Sequence, residues 1–235
     1  MKINVASFAL VYATASTASA SSAALSGVGF DALHINPYAT AVVSEGTYDA
    51  RNIVARDDGA DPLEGGYGLF VDEHAKATVC NASLIKGGTE HYNNVVYGRG
   101  GVYVGSDATL NIVDGVIEGG DSTETQFGAY GIYASYELNK QANSIVITGG
   151  EILGGMRAGA EGDERGESIF TEAGGTITVY GGVIGDNRSN SVMDVSVGLF
   201  GDLPAGNNVA TVNIHGGTGK GPQSASLPLI TPRPI

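Results

Sequence analysis

A short glycine-ended block returns along this chain at intervals close to one turn of a solenoid. It reads Ala-Thr-Leu-Asn-Ile-Val-Asp-Gly-Val-Ile-Glu-Gly-Gly at 108–120 and Ser-Ile-Val-Ile-Thr-Gly-Gly-Glu-Ile-Leu-Gly-Gly at 144–155. It comes back as Thr-Ile-Thr-Val-Tyr-Gly-Gly-Val-Ile-Gly at 176–185 and as Ala-Thr-Val-Asn-Ile-His-Gly-Gly at 210–217. A looser copy, Ala-Thr-Val-Cys-Asn-Ala-Ser-Leu-Ile-Lys-Gly-Gly, occupies 77–88. One copy alone has nothing to bury its apolar side against, so repetition of this kind means that the copies stack.

A second element precedes the block, a small residue followed by an apolar pair. It appears as Gly68-Leu69-Phe70, Gly101-Val102-Tyr103, Gly131-Ile132-Tyr133, Ser168-Ile169-Phe170 and Gly198-Leu199-Phe200. The aromatics recur after 33, 30, 37 and 30 residues, and Ile85, Ile117, Ile152 and Ile184 after 32, 35 and 32. Helical periodicity is absent, whereas Ile145/Ile147, Ile177/Val179 and Val212/Ile214 alternate with polar neighbours as strand residues do. The expected fold is therefore all-β: one parallel β-solenoid of about six rungs, with three short strands per turn. The rungs are placed at 27–66, 67–100, 101–130, 131–167, 168–197 and 198–217. The 37 glycines allow sharp bends at strand ends, and with only 7 prolines the chain is not a disordered Gly/Pro tract.

The ends read differently from the middle. Met1-Lys2, the apolar stretch 3–13 and Ala18-Ser19-Ala20 resemble a secretory signal peptide over 1–20. Residues 21–66 read as an N-terminal cap with a first irregular rung, 67–217 as the repeats, and 218–235, with four prolines, as a flexible tail. Secretion and an extracellular or cell-surface location follow as expectations. One cysteine excludes an internal disulfide, and alignment on the trailing Gly-Gly puts Cys80 at the inward position of Ile112. Asn81-Ala82-Ser83 and Asn187-Arg188-Ser189 match the N-glycosylation acceptor pattern, Asn187 on a loop and Asn81 in a strand.

A net charge of −13 argues against nucleic acid and against anionic membrane surfaces as partners, and no segment reads as membrane-inserting. Length varies at one point of the turn, giving loops at 89–100, 121–130, 156–167 and 186–197 that stacking should bring out on one side. Phe70, Tyr103, Tyr133, Phe170 and Phe200 share a register and are expected to form an internal stacked ladder. Off that register, candidate binding groups are Tyr92, Tyr97, Arg99, Asp121, Glu124, Tyr130, Arg157, Asp163 and Arg165. Tyrosine rings offer faces to sugars and Arg offers paired donors to hydroxyls or uronates. The plainer explanation for the same loops is solvated polar connection.

Together, these rungs resemble secreted right-handed parallel β-helix proteins, the pectate-lyase-like superfamily in its broad sense, over residues 27–217. The resemblance implies the right-handed coil and admits several functions, from polysaccharide lyases and hydrolases to adhesins. A lyase would need carboxylates around a cation such as Ca²⁺ and a basic residue over the uronate; Asp121 and Glu124 on one loop, with Glu161, Asp163, Glu164, Arg157 and Arg165 on the next, are the nearest set. The paired aspartates and Gly-His-Gly element of the polygalacturonases are not matched, because His215 follows Ile214. Thr78, Thr109, Thr178 and Thr211 do not fall in a single register, so no regular threonine array is read. The expectation is a non-enzymatic surface or adhesion module that contacts polysaccharide or cell-surface glycan without a cofactor. Its rival is a Ca²⁺-dependent polysaccharide lyase, the one reading that brings in Ca²⁺.

Overall fold

The chain builds three parallel sheets and visits them in strict rotation. In the computed structural model the described residues are 31–52, 63–64, 66–81, 83–92, 95–122, 129–135, 142–156, 165–172, 175–185, 195–198, 211–216 and 218–219. Sheet I contains Leu33–Ile35, Leu69–Val71, Val102–Val104, Ile132–Ala134, Ile169–Glu172 and Val195–Gly198. Sheet II contains Thr40–Ser44, Lys76–Cys80, Thr109–Ile112, Ser144–Ile147, Thr176–Val179 and Thr211–Ile214. Sheet III contains Thr47–Asp49, Leu84–Lys86, Val116–Glu118, Glu151–Leu153, Val183–Ile184 and Thr218–Gly219. Each sheet is six strands deep and every neighbour pair in it is parallel, which makes the fold an all-β solenoid. A three-residue 3₁₀ turn, Ala50–Asn52, is the one helical element among the described residues, and none of those residues form a helix long and apolar enough to cross a membrane.

Alternation within each strand sorts the side chains. Leu69 and Val71, Leu110 and Ile112, and Ile117 all point inward and are almost entirely shielded from water. Their counterparts above and below repeat the same chemistry, so aliphatic columns such as Ile85–Ile117–Ile152 run along the core. Aliphatic β-branched residues suit this, since the pleat sets identical side chains over one another at strand spacing, about 4.8 Å.

Corners are cut by special backbone. Between sheets II and III, Gly115, Gly150 and Gly182 take positive φ, a conformation that costs glycine nothing. Between sheets I and II the same role falls to Tyr38, His74 and Asp107, with φ of 64°, 59° and 57°. After sheet III, the recurrent Gly-Gly pairs let adjacent turns touch backbone to backbone. A Cβ on Gly155 would lie 1.8 Å from the Gly120 carbonyl oxygen, and one on Gly120 would lie 1.8 Å from that of Gly88.

Two expectations are corrected by the register. The aromatic ladder is stacked, but its register is outward: Phe70, Tyr103, Tyr133 and Phe170 sit between inward pairs such as Leu69/Val71 and Val102/Val104, with Phe170 left 7% exposed beneath the Tyr130 and Tyr133 rings. Period-two alternation forces this, because the residue between two buried neighbours must leave on the other side. His34 heads the ladder and Ser196 ends it among the described residues, while Phe200 lies outside them. Cys80 is also displaced. Val79 pairs with Ile112 and Cys80 with Ser44, so the thiol is outward and half-buried. The corner after Val79 holds one residue more than the corner after Ile112, which defeats alignment on the trailing glycines. Asn81 lies just past the strand end, exposed, with φ of 53°.

Candidate functional site

Variable loops leave the stack at the junction of sheet III with sheet I, and their bases ladder on one another. Arg99 N donates to Gly88 O, Gly120 N to Arg99 O, Gly155 N to Ala129 O and Gly166 N to Gly155 O. The segment expected as loop 89–100 is an antiparallel hairpin, Thr89–Tyr92 with Val95–Gly98, and Leu63–Glu64 joins its outer edge. Its register sets Tyr92 opposite Val95 and Tyr97 opposite Glu90.

Beside this junction runs the outward ring column of sheet I. His34 stacks on Phe70 at 4.6 Å and Phe70 on Tyr103 at 4.2 Å, with interplanar angles of 21° and 12°. Tyr103 to Tyr133 and Tyr133 to Phe170 are 5.9 and 5.7 Å apart. Two tyrosines from the loop bases lean on the column: Tyr67 against Phe70 and Tyr103, and Tyr130 against Phe170 and Tyr133. Rings stacked this way cover each other's faces and present mainly their edges and hydroxyls outward. Polar groups line both flanks, Asp31 on the Tyr67 side, where it accepts the Tyr67 amide at 2.7 Å, and Asp72 and Glu172 across the column. His34 lies between Asp31 and Asp72, at 3.6 and 3.3 Å. Tyr133 donates to Glu172, Ser135 donates to the same carboxylate, and Asn143 Nδ2 donates to Ser135 O at 2.7 Å.

Burial dominates the acid–base behaviour of this strip. It pushes the Tyr67 phenol up to about 12, against the opposing influence of Arg99. Burial also raises Tyr103, and it raises Tyr133 with help from the hydrogen bond to Glu172. Asp31 is raised for the same reason, partly offset by the Tyr67 amide and by His34. The phenols are therefore neutral donors at physiological pH, suited to hydroxyl or carboxylate partners and unsuited to act as bases.

Of the residues singled out by sequence, Tyr130 and Arg99 meet at this strip, Tyr130 through its ring stack and Arg99 through its hydrogen bond to Tyr67. Asp121 stands exposed and accepts the Met156 amide at 3.0 Å. Arg165 instead lies against the outer face of sheet III. Its Nη1 reaches Glu118 Oε1 at 2.8 Å and Gly154 O at 2.9 Å, and its side chain is 8% exposed. Glu124, Arg157, Asp163 and Asn187 lie outside the described residues, and Tyr92 and Tyr97 are placed by backbone register alone. Sequence reasoning passed over Tyr67, His34, Asp72 and Glu172. Their positions one register step from the buried columns were the available signal. Among the described residues, no three His, Cys, Asp or Glu side chains are grouped to hold a metal ion.

Compared with family profiles, curated proteins and solved structures, the chain matches none of them.

Proposed function

We propose that this chain is a secreted β-helix surface or adhesion module of the pectate-lyase-like type, and that it contacts carbohydrate along the strip between the loop junction and the ring column of sheet I. The observation that carries this reading is the outward ring column itself, with Tyr67, Tyr130 and Arg99 on one flank and Asp72 and Glu172 on the other. Ring edges with neutral phenols, carboxylates and a guanidinium offer a glycan both apolar contact and fixed hydrogen-bond partners. A rigid scaffold with binding groups at its loop bases is the usual arrangement for recognition.

The test is a glycan array probed with wild type, Tyr130→Ala and Arg99→Ala. Wild-type binding that both variants lose supports the strip, and binding that survives both variants unchanged counts against it. Incubation with uronate polysaccharides and Ca²⁺, following unsaturated product, tests the lyase alternative directly. Turnover there would replace the module reading with an enzymatic one.

A further inference from the structure

Sheet II presents an outer face whose chemistry neither other sheet shares. Its first outward column is Thr40, Lys76, Thr109, Ser144, Thr176 and Thr211, in register from strand to strand. The next column, two residues along each strand, holds only Val, Thr and Asn, from Val42 through Thr78 and Thr178 to Asn213. None of the six strands contains Asp or Glu, although the chain carries 25 acidic residues. The four threonines that miss a common register in the sequence fall into these two adjacent columns. Thr109 and Thr211 share one with Thr40, Ser144 and Thr176, and Thr78 and Thr178 share the other.

The face is also regular in its spacing. Each outward residue is anchored by inward neighbours such as Leu110, Ile145 and Ile177, all at 0% exposure. Strands repeat at about 4.8 Å and alternate residues along a strand at about 6.7 Å, so hydroxyls and methyls form a two-dimensional lattice. Threonine supplies both at one site, a hydroxyl that donates and accepts and a methyl that does neither. Water oxygens on a prism face of ice repeat at nearly the same two spacings.

We propose that the outer face of sheet II binds ice. The alternatives fit less well. A sugar polymer calls for an extended ring platform, which sheet I holds; the two columns of sheet II carry no ring, and one stacked pair, Tyr180 on His215, stands just past the ends of its last two strands. A second copy calls for about 800 Å² per partner. Six strands and two outward columns span only about 24 by 7 Å. An ice surface, uncharged and regular, matches a face free of carboxylates on a chain that otherwise carries −13. Lys76 interrupts the hydroxyl column with an exposed ammonium, so the lattice is incomplete at one known point.

That interruption gives the test. The labelled chain is partitioned into a slowly grown ice hemisphere beside a non-binding control protein of similar size and charge. Wild type enriches in the ice, Lys76→Thr enriches further, and Thr176→Lys falls to the level of the control. The fold already accepts lysine at that register, as Lys76 shows, and unchanged melting temperatures establish that both variants are folded. Tyr130→Ala, aimed at the carbohydrate strip, leaves ice enrichment unchanged, which separates this face from that one. The proposal is overturned by exclusion of both wild type and Lys76→Thr from ice. It is equally overturned by enrichment that Thr176→Lys retains, or by a dimer in solution that Thr176→Lys dissolves.

Discussion

The aliphatic columns inside the stack and the ring column outside sheet I come from the same strands, one residue apart, yet they solve different problems. Inside, Ile85, Ile117 and Ile152 lie over one another with 0% exposure and no polar group to satisfy. Outside, Phe70, Tyr103 and Tyr133 also lie over one another, but each is partly exposed to water and two carry hydroxyls that need partners. The inner column can only stabilise. The outer one stabilises through ring stacking and also leaves ring edges and hydroxyls within reach of a partner.

Both columns depend on the backbone contact between turns, so a break in that contact should have the largest effect. Gly155→Ala would drive a Cβ into the Gly120 carbonyl oxygen, where the nearest atoms all belong to the backbone and cannot rotate away. The expected loss exceeds about 4 kcal/mol, the range kept for changes the structure cannot absorb. Chemical denaturation followed by circular dichroism measures it, and a loss below 1 kcal/mol would mean that the turns can separate locally.

Next in size are paired truncations of the two columns. Ile117→Ala leaves a cavity that neighbours held by sheet hydrogen bonds cannot close, and should cost about 2–5 kcal/mol. Phe70→Ala removes stacking with His34 and Tyr103, each such pair worth about 0.5–1.5 kcal/mol, in a place where solvent can fill the gap. The inner variant should therefore be the less stable of the two in parallel urea melts. The opposite order would make the outer column the main structural support and weaken its claim to a binding role.

Sheet III offers a second outward column, ionic where that of sheet I is aromatic. Lys86 Nζ and Arg165 Nη1 contact the two oxygens of Glu118 at 2.6 and 2.8 Å. Burial opposes ionisation of Glu118, but the hydrogen bonds from Lys86 and Arg165 outweigh it and hold the carboxyl below its ordinary value of 4.5. A depressed folded value means that the stabilisation is fully present above pH 4.5 and is lost as pH falls through the folded value. Glu118→Gln should cost about 3 kcal/mol at neutral pH, mainly by leaving the Arg165 guanidinium buried without its counter-charge. The variant should also lose less stability than wild type on acidification below pH 4.5. Parallel acid-side melting curves would contradict this assignment.

Much of this architecture was legible in the sequence because its cause is local. Repeated Gly-Gly pairs, alternating Ile and Val, and the absence of helical periodicity each reflect a steric requirement that one turn imposes on the next. Direction was harder to read. Leu69-Phe70-Val71 is apolar at all three positions, so composition alone does not say which of them leaves the core, and ring size by itself argues for the inside. Cys80 shows the complementary limit, since one extra corner residue shifts the register away from the one that alignment on the flanking glycines gives. The candidate site depended on both points. Tyr130 and Arg99 could be chosen from their place beside the loops, while Tyr67, His34 and Glu172 acquire meaning only once the ring column is known to face outward.

The smallest effect is also the sharpest probe of how buried the outer strip is. Burial raises the Tyr67 phenol from 10.0 to about 12, so the folded state favours the protonated ring more than the unfolded state does. The corresponding stability is complete below pH 10 and is lost as pH rises toward 12. Tyr103 and Tyr133 are raised as well and add to the same alkaline loss, so Tyr67→Phe should flatten the decline without removing it. Melting temperatures across this range, read together with phenolate absorbance, would follow both quantities in one sample. A Tyr67 that ionises near 10 would place its hydroxyl in water, leaving only the aliphatic interior dry and the ring column a surface ornament on the stack.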